Sequence, residues 1–118
     1  MFTKYLKHVV DNVDGGVGGL IMGLDGIAVE SYVPPAQKVD INTIGMEFSF
    51  ILTQIKKASE ILQVGTVQEI AIKAEQMTLV IRMLTEDYFM AVVLRSEGNF
   101  GKCRFLMRVT APKLIAEL

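Results

Sequence analysis

"DGGVGGLIMGLDGIAVESYVPP", Asp14 to Pro35, holds six of the ten glycines of a 118-residue chain. Glycines crowded together suit a backbone closing on a phosphate, and they equally suit two elements that must lie close. A phosphate loop needs Gly-Lys-Ser/Thr after a strand and opening a helix. No lysine or serine follows the glycines here, and "VGGLIMG" and "IAVESYV" read as two short strands. The dinucleotide fingerprint fails as well: Gly16 and Gly18 fit its first two positions, but Ile21 stands where the last glycine belongs. The glycines are therefore read as structural. Gly15 and Gly16 stop a helix, Gly18, Gly19 and Gly23 let a helix lie close over a strand, and Asp25-Gly26 suits the positive φ values of a hairpin turn. No nucleotide is expected to bind.

Upstream, Phe2, Tyr5, Leu6, Val9, Val10 and Val13 recur at three- and four-residue spacing, with Lys4, Lys7 and Asp11 outside. That is an amphipathic helix. Downstream, Pro34 and Pro35 end the second strand, because proline cannot donate to a ladder. Asp40 is placed to cap a long helix, with Val39 stapling onto Ile44. The helix runs to about Leu62, with Gly65 just beyond. Three strands follow, "VQEIAIKAE", "MTLVIRML" and "YFMAVVL", separated by short polar turns that make neighbours antiparallel. A last helix begins near Asn99 and reaches Leu118, with Pro112 expected to kink or interrupt it. The order is α-β-β-α-β-β-β-α, an α/β domain over residues 1–118: a five-stranded antiparallel sheet with helices on both faces. Tyr88 to Leu94 is apolar on both sides and belongs mid-sheet. Val67 to Glu75 carries Gln68, Glu69, Lys73 and Glu75, which fits an edge, and with no proline that edge is open to another strand.

Apolar residues make up 51% of the chain and charged residues only 21%, with a mean hydropathy of +0.39. No apolar run approaches the roughly 18 to 20 residues that span a bilayer, and "MFTKYLKHVVDN" has no signal-peptide core. The surplus apolar surface points to a second protein chain as its cover. A net charge of -1 with the signs interspersed gives no footprint for nucleic acid. One cysteine, Cys103, excludes an internal disulfide, and one histidine, His8, leaves no zinc ligand set. The expected location is the cytoplasm, with no cofactor, no metal and no small-molecule ligand.

"GGVGGLIMGLDGIAVESY", the capped long helix and "GNFGKCRFLMRVTAPKLIAEL" together resemble the roadblock/dynein-light-chain family. The sequence is most similar to its bacterial MglB-type branch, whose members regulate a Ras-like GTPase in cell polarity and motility. The likeness covers essentially the whole chain and lies in apolar and glycine positions rather than in catalytic motifs. It implies a homodimer that pairs third strands and long helices into one continuous sheet, with a GTPase bound on the exposed side of the helix pair. It also implies activation of hydrolysis by reshaping the partner's switch segments. Longer MglB-type proteins carry a C-terminal tail credited with assisting nucleotide exchange. This sequence stops at Leu118, so the resemblance does not extend to that activity.

On the long helix, Ile41, Ile44, Phe48, Ile51, Ile55, Ala58 and Leu62 form one stripe, which is expected to lie on the sheet. Gly45, Ser49 and Leu52 flank it, and the two small residues would let a second helix approach. With the open strand (Val67, Glu69, Ala71 and Lys73) they are the expected dimer contacts. Met46, Phe50, Thr53 and Lys57, roughly opposite the stripe, are the expected face for the GTPase. His8 reads as solvated, Cys103 as a small packed residue, and Glu86 and Asp87 as turn acids. An arginine finger would have to be Arg95, the one arginine at a strand end, and the family resemblance argues against one. No catalytic group is expected, and the resemblance implies a GTPase-activating partner rather than an enzyme. A dimeric scaffold of the light-chain type is the alternative. A sensor domain with a ligand pocket is disfavoured by uniformly apolar core positions.

Overall fold

The computed structural model describes residues 1–118. The elements follow the expected order: α1 (Phe2–Asp11), β1 (Gly16–Gly23), β2 (Ala28–Tyr32), α2 (Ile41–Leu62), β3 (Glu69–Lys73), β4 (Met77–Met83), β5 (Tyr88–Arg95) and α3 (Phe100–Ile115). The five strands form one antiparallel sheet in the order β2-β1-β5-β4-β3. β5 lies at its centre, as a strand apolar on both sides must, and β3 lies at an edge. β3 is shorter than the sequence suggests. Val67 and Gln68 precede it, and Ala74 and Glu75 follow it.

The glycine segment does several jobs. Gly15 takes φ +86°, and a Cβ at Gly16 would run into the carbonyl oxygen of Val10, so only a bare backbone passes beneath the end of α1. The hairpin differs in detail from the expectation. The turn closes from the Gly26 N–H to the Gly23 carbonyl at 2.9 Å, and only Gly26 has positive φ. Asp25 instead folds its carboxylate back to accept from the Ile27 N–H at 3.0 Å, a local side-chain bond that holds the turn.

Helices cover both faces. α1 and α3 lie on one, where Leu6, Val9 and Val10 meet Ile21, Val80, Met90 and Val92 of the sheet and Cys103, Met107 and Leu114 of α3. α2 lies on the other, over β1 and β2. Its N-terminus is capped as expected: the Asp40 carboxylate accepts from the Thr43 N–H at 3.2 Å and from the Thr43 hydroxyl at 2.7 Å. These bonds hold its pKa below the ordinary value. Its C-terminus closes on Gln63, which takes the left-handed conformation itself at φ 56°, two residues before Gly65. α3 is capped by Asn99, which accepts from the Lys102 N–H, and runs on through Pro112 to Ile115 without interruption. Pro112 stands in the last turn, so the bond it cannot give to the Arg108 carbonyl falls near the helix end, with only three helical residues beyond it.

Candidate functional site: the free faces of the long helix

Helix α2 is rotated about its axis from the expected setting. Ile41, Gly45, Ser49, Leu52 and Ser59 are the buried residues that lie on the sheet. Gly45, Ser49 and Leu52 are thus inside their own chain and cannot be the contacts of a second helix. The reason is room. Leu20 and Met22 rise from β1 beneath the helix, and a Cβ at Gly45 would already lie 2.7 Å from Leu20 Cδ2 and 2.9 Å from Met22 Cε. Only the side-chain-poor line of the helix fits there. Its buried hydroxyls are satisfied locally, Ser49 donating to the Met46 carbonyl at 2.7 Å and Ser59 to the Lys56 carbonyl at 2.8 Å.

The apolar stripe expected to be core is consequently turned to one flank. Ile41 alone of it is buried. Ile44, Phe48 and Ile55 are half-buried, and Ile51, Ala58 and Leu62 are exposed, Ile51 by 44%. Met46 lies on the other flank, beside Gly26 of the β1–β2 turn, so the stripe leans toward β4 and β3. Ile44 and Phe48 pack against the same core as Ile70 and Ile72 of β3, which are also half-buried. Helix flank and strand thus border the same buried cluster, and a single chain leaves both partly in water.

Met46, Phe50, Thr53 and Lys57, the residues expected to point away from the sheet, do so to different degrees. Phe50 is 74% exposed and Met46 56%. Lys57 is exposed, and Thr53 is half-buried with its hydroxyl bonded to the Ser49 carbonyl at 3.1 Å. Ile61, 81% exposed, extends the apolar area by helical spacing.

At the sheet edge, β3 pairs only with β4. Glu69, Ala71 and Lys73 lie on the strand, and their side chains point to the α3 face. Glu69 accepts from Arg104 at 2.6 and 2.9 Å, and the Lys73 ammonium stands 5.2 Å from the centre of the Phe100 ring. Val67 lies before the strand, half-buried, on the wall of a cavity of about 390 Å³ between the C-terminal half of α2 and the β4–β5 turn. It therefore lies outside the strand edge it was expected to belong to.

The chemically suggestive residues are dispersed. Burial, and to a smaller degree the charge of Glu69, push the Cys103 thiol up to about 12. The thiol is fully enclosed beside Met107 and stays protonated, which removes its nucleophilicity. Arg95 is exposed at the end of β5 and donates to Glu97 at 2.9 Å. His8 is exposed on α1 next to Asn12. Glu86 and Asp87 are exposed in the β4–β5 turn. No group of three or more His, Cys, Asp or Glu side chains is arranged to hold a metal ion, and no helix is long and apolar enough to cross a membrane.

No protein-family model matches the chain, and a comparison with curated proteins finds no match. Solved structures do match. MglC from Myxococcus xanthus is 40% identical, over 99% of this chain and 98% of that one, with a TM-score of 0.73. MglB in a tetrameric arrangement is 17% identical over 98% of this chain and 87% of that one, with a TM-score of 0.85. A roadblock/LC7 domain from Streptomyces avermitilis is 14% identical over 95% and 96%, with a TM-score of 0.75. The last two share the fold, while the identity to MglC over nearly the full length goes further than the fold. Its element order, antiparallel sheet and this likeness show that the chain belongs to the roadblock/LC7 family, in the branch that holds MglC and MglB.

Proposed function

We propose that the protein is a homodimeric regulator of a small Ras-like GTPase in the cytoplasm. It docks the GTPase on the outward side of the paired long helices and stimulates hydrolysis without donating a catalytic residue. The observation that carries this reading is that α2 is apolar on two free sides at once. The flank with Ile44, Phe48, Ile51 and Ile55, continued by Ile70 and Ile72 at an open sheet edge, suits a second copy. The outward side with Phe50 and Met46, bordered by Thr53 and Lys57, suits a different protein, since it has the apolar anchor and polar rim of an interface.

Magnitudes favour the use of both helix and strand in the dimer. Burying one large apolar side chain is worth about 1.5–3 kcal/mol when it starts fully exposed. Association costs about 4–15 kcal/mol. Five of the six residues on this flank and edge are already half-buried and contribute only part of their value each, so the six per chain offset the cost with help from the β3 ladder. What the outward side offers supports a mode of action without donated chemistry. Lys57 is its one cation, and Arg95, the candidate finger, is held by Glu97 at the end of β5.

The test is a binding assay of the dimer with a Ras-like GTPase held in its GTP or its GDP state, followed by single-turnover hydrolysis. Phe50→Ala should weaken binding by about 2 kcal/mol or more, roughly thirtyfold, with little change in thermal stability. Arg95→Ala, as the control, should leave stimulation intact. Binding without stimulation would replace activation by the scaffold reading, and loss of stimulation in Arg95→Ala with unchanged binding would restore the finger.

A further inference from the structure

Behind the sheet edge, on the side away from α2, β3 and β4 meet α3 in a groove of about 370 Å³. It is lined by Gln68, Glu69, Arg82, Arg104, Phe105 and Arg108, with Gly101 at its rim. Three guanidinium groups line it beside a single carboxylate, which two of them contact. Glu69 takes a forked pair of bonds from Arg104 at 2.6 and 2.9 Å. Arg82, its partner across the β3–β4 ladder, reaches only 3.9 Å from it. Arg108 has no acidic partner and lies over the Phe105 ring at 5.7 Å. The chain as a whole carries a net charge of -1, so this local excess of two positive charges is a departure from the rest of the molecule. Phe105 is an apolar wall of the groove, 52% exposed, and Val109, one turn on along α3, is exposed as well.

We propose that this groove binds an acidic peptide segment of a partner protein, two carboxylates engaging Arg82 and Arg108 while one apolar side chain rests on Phe105 and Val109. A guanidinium presents its donors in a planar fork that matches a carboxylate, and charge-assisted bonds of this kind are the stronger ones. The shape selects a peptide over a membrane surface. Arg82 and Glu69 are recessed, each with a side chain only 22% exposed, where an extended chain can reach and a flat bilayer cannot. The site does not involve α2, so it stands independently of the GTPase reading.

The test is fluorescence anisotropy with a short fluorescein-labelled peptide of glutamates around one phenylalanine, at low salt. A peptide with glutamine in place of every glutamate and vesicles rich in phosphatidylglycerol are the comparison arms. The acidic peptide should bind, its affinity should fall as salt rises, and Arg108→Gln should weaken it about tenfold, with Arg82→Gln adding a similar factor. Glu69→Gln should strengthen binding, because it removes the competing carboxylate, which a purely structural role for Glu69 would not do. Arg108 lies on the exposed side of α3, so its variant carries the test even where a change at Arg82 or Glu69 disturbs folding. Absence of binding, equal binding of the glutamine peptide, affinity unchanged in Arg108→Gln, or an arginine-dependent preference for the vesicles would each overturn the proposal.

Discussion

The two faces of the sheet are finished to different degrees. On the α1/α3 side fourteen buried residues form the core, and six partly buried hydrophobic residues border it. On the α2 side nine are buried and ten are only partly so, so that face ends in side chains still half in water. The cause is geometric. Two helices roof the first face, while a single helix over β1 and β2 roofs the second. That helix settles on its smallest side chains because Leu20 and Met22 leave no space for larger ones. Apart from Ile41, its isoleucines and both phenylalanines are displaced to the flank and the outside. The closed face is where folding free energy is stored, and the open face is where association draws its own.

The sharpest way to break this contrast is a cavity on the closed face. Met107→Ala removes a fully enclosed side chain between α3 and the sheet and should cost about 2–5 kcal/mol of stability, read by denaturant titration. Self-association of the folded fraction should not change. Gly45→Leu comes next. It forces a branched side chain into the closest approach of α2 to β1 and should cost about 1–3 kcal/mol. The loss should be one of folding stability in the monomer as well as the dimer. A variant that folds normally but has lost only its partner would mean that Gly45 faces another chain after all.

The smallest expected effect is at Cys103. Its thiol is held up to about 12 from an ordinary value of 9.0. The folded value lies above the unfolded one, so its contribution to stability is fully present below the unfolded value and is lost as pH rises from there to the folded one. In mildly alkaline buffer the native protein should therefore resist thiol reagents, and labelling should appear only with denaturant. Rapid labelling of the native state would show the α1/α3 face to be less closed than described.

Much of the frame was legible in the residues because its signals are local. Asp40 with Thr43 is a cap within one turn, Gly15 and Gly16 stop α1, and the uninterrupted apolar run Tyr88–Leu94 can only be a central strand. The rotation of α2 was not legible. Periodicity ranks helix faces by hydrophobicity, whereas the sheet selected the face by available volume, and that volume is set by Leu20 and Met22 on another element. Gly45, Ser49 and Ser59 did carry the signal, since small residues at helical spacing mark a close approach. What the spacing did not say is that the neighbour is the chain's own strand. The helix ends at Leu62 as the residues indicate, but the left-handed conformation of Gln63 and the place of Val67 outside β3 were not legible, since both are decided by how the chain leaves the helix. The arginine groove escaped for a simpler reason. Arg82 and Arg104 meet Glu69 only through the β3–β4 register and the packing of α3, neither of which is written in any short stretch.

The central claim is that the open α2 face is completed by a second copy through the Ile44–Phe48–Ile51–Ile55 flank and the β3 edge. Light scattering on the purified chain at micromolar concentration, beside the variant Ile51→Glu, tests it directly. Ile51 is 44% exposed in the single chain, so a charge there should leave the monomer folded, with near-native circular dichroism, yet be costly inside a dimer contact. The account predicts twice the 13.1 kDa chain mass for the unmodified protein and a folded particle of the chain mass alone for Ile51→Glu. A monomeric unmodified protein, or a variant that remains fully dimeric, would contradict it.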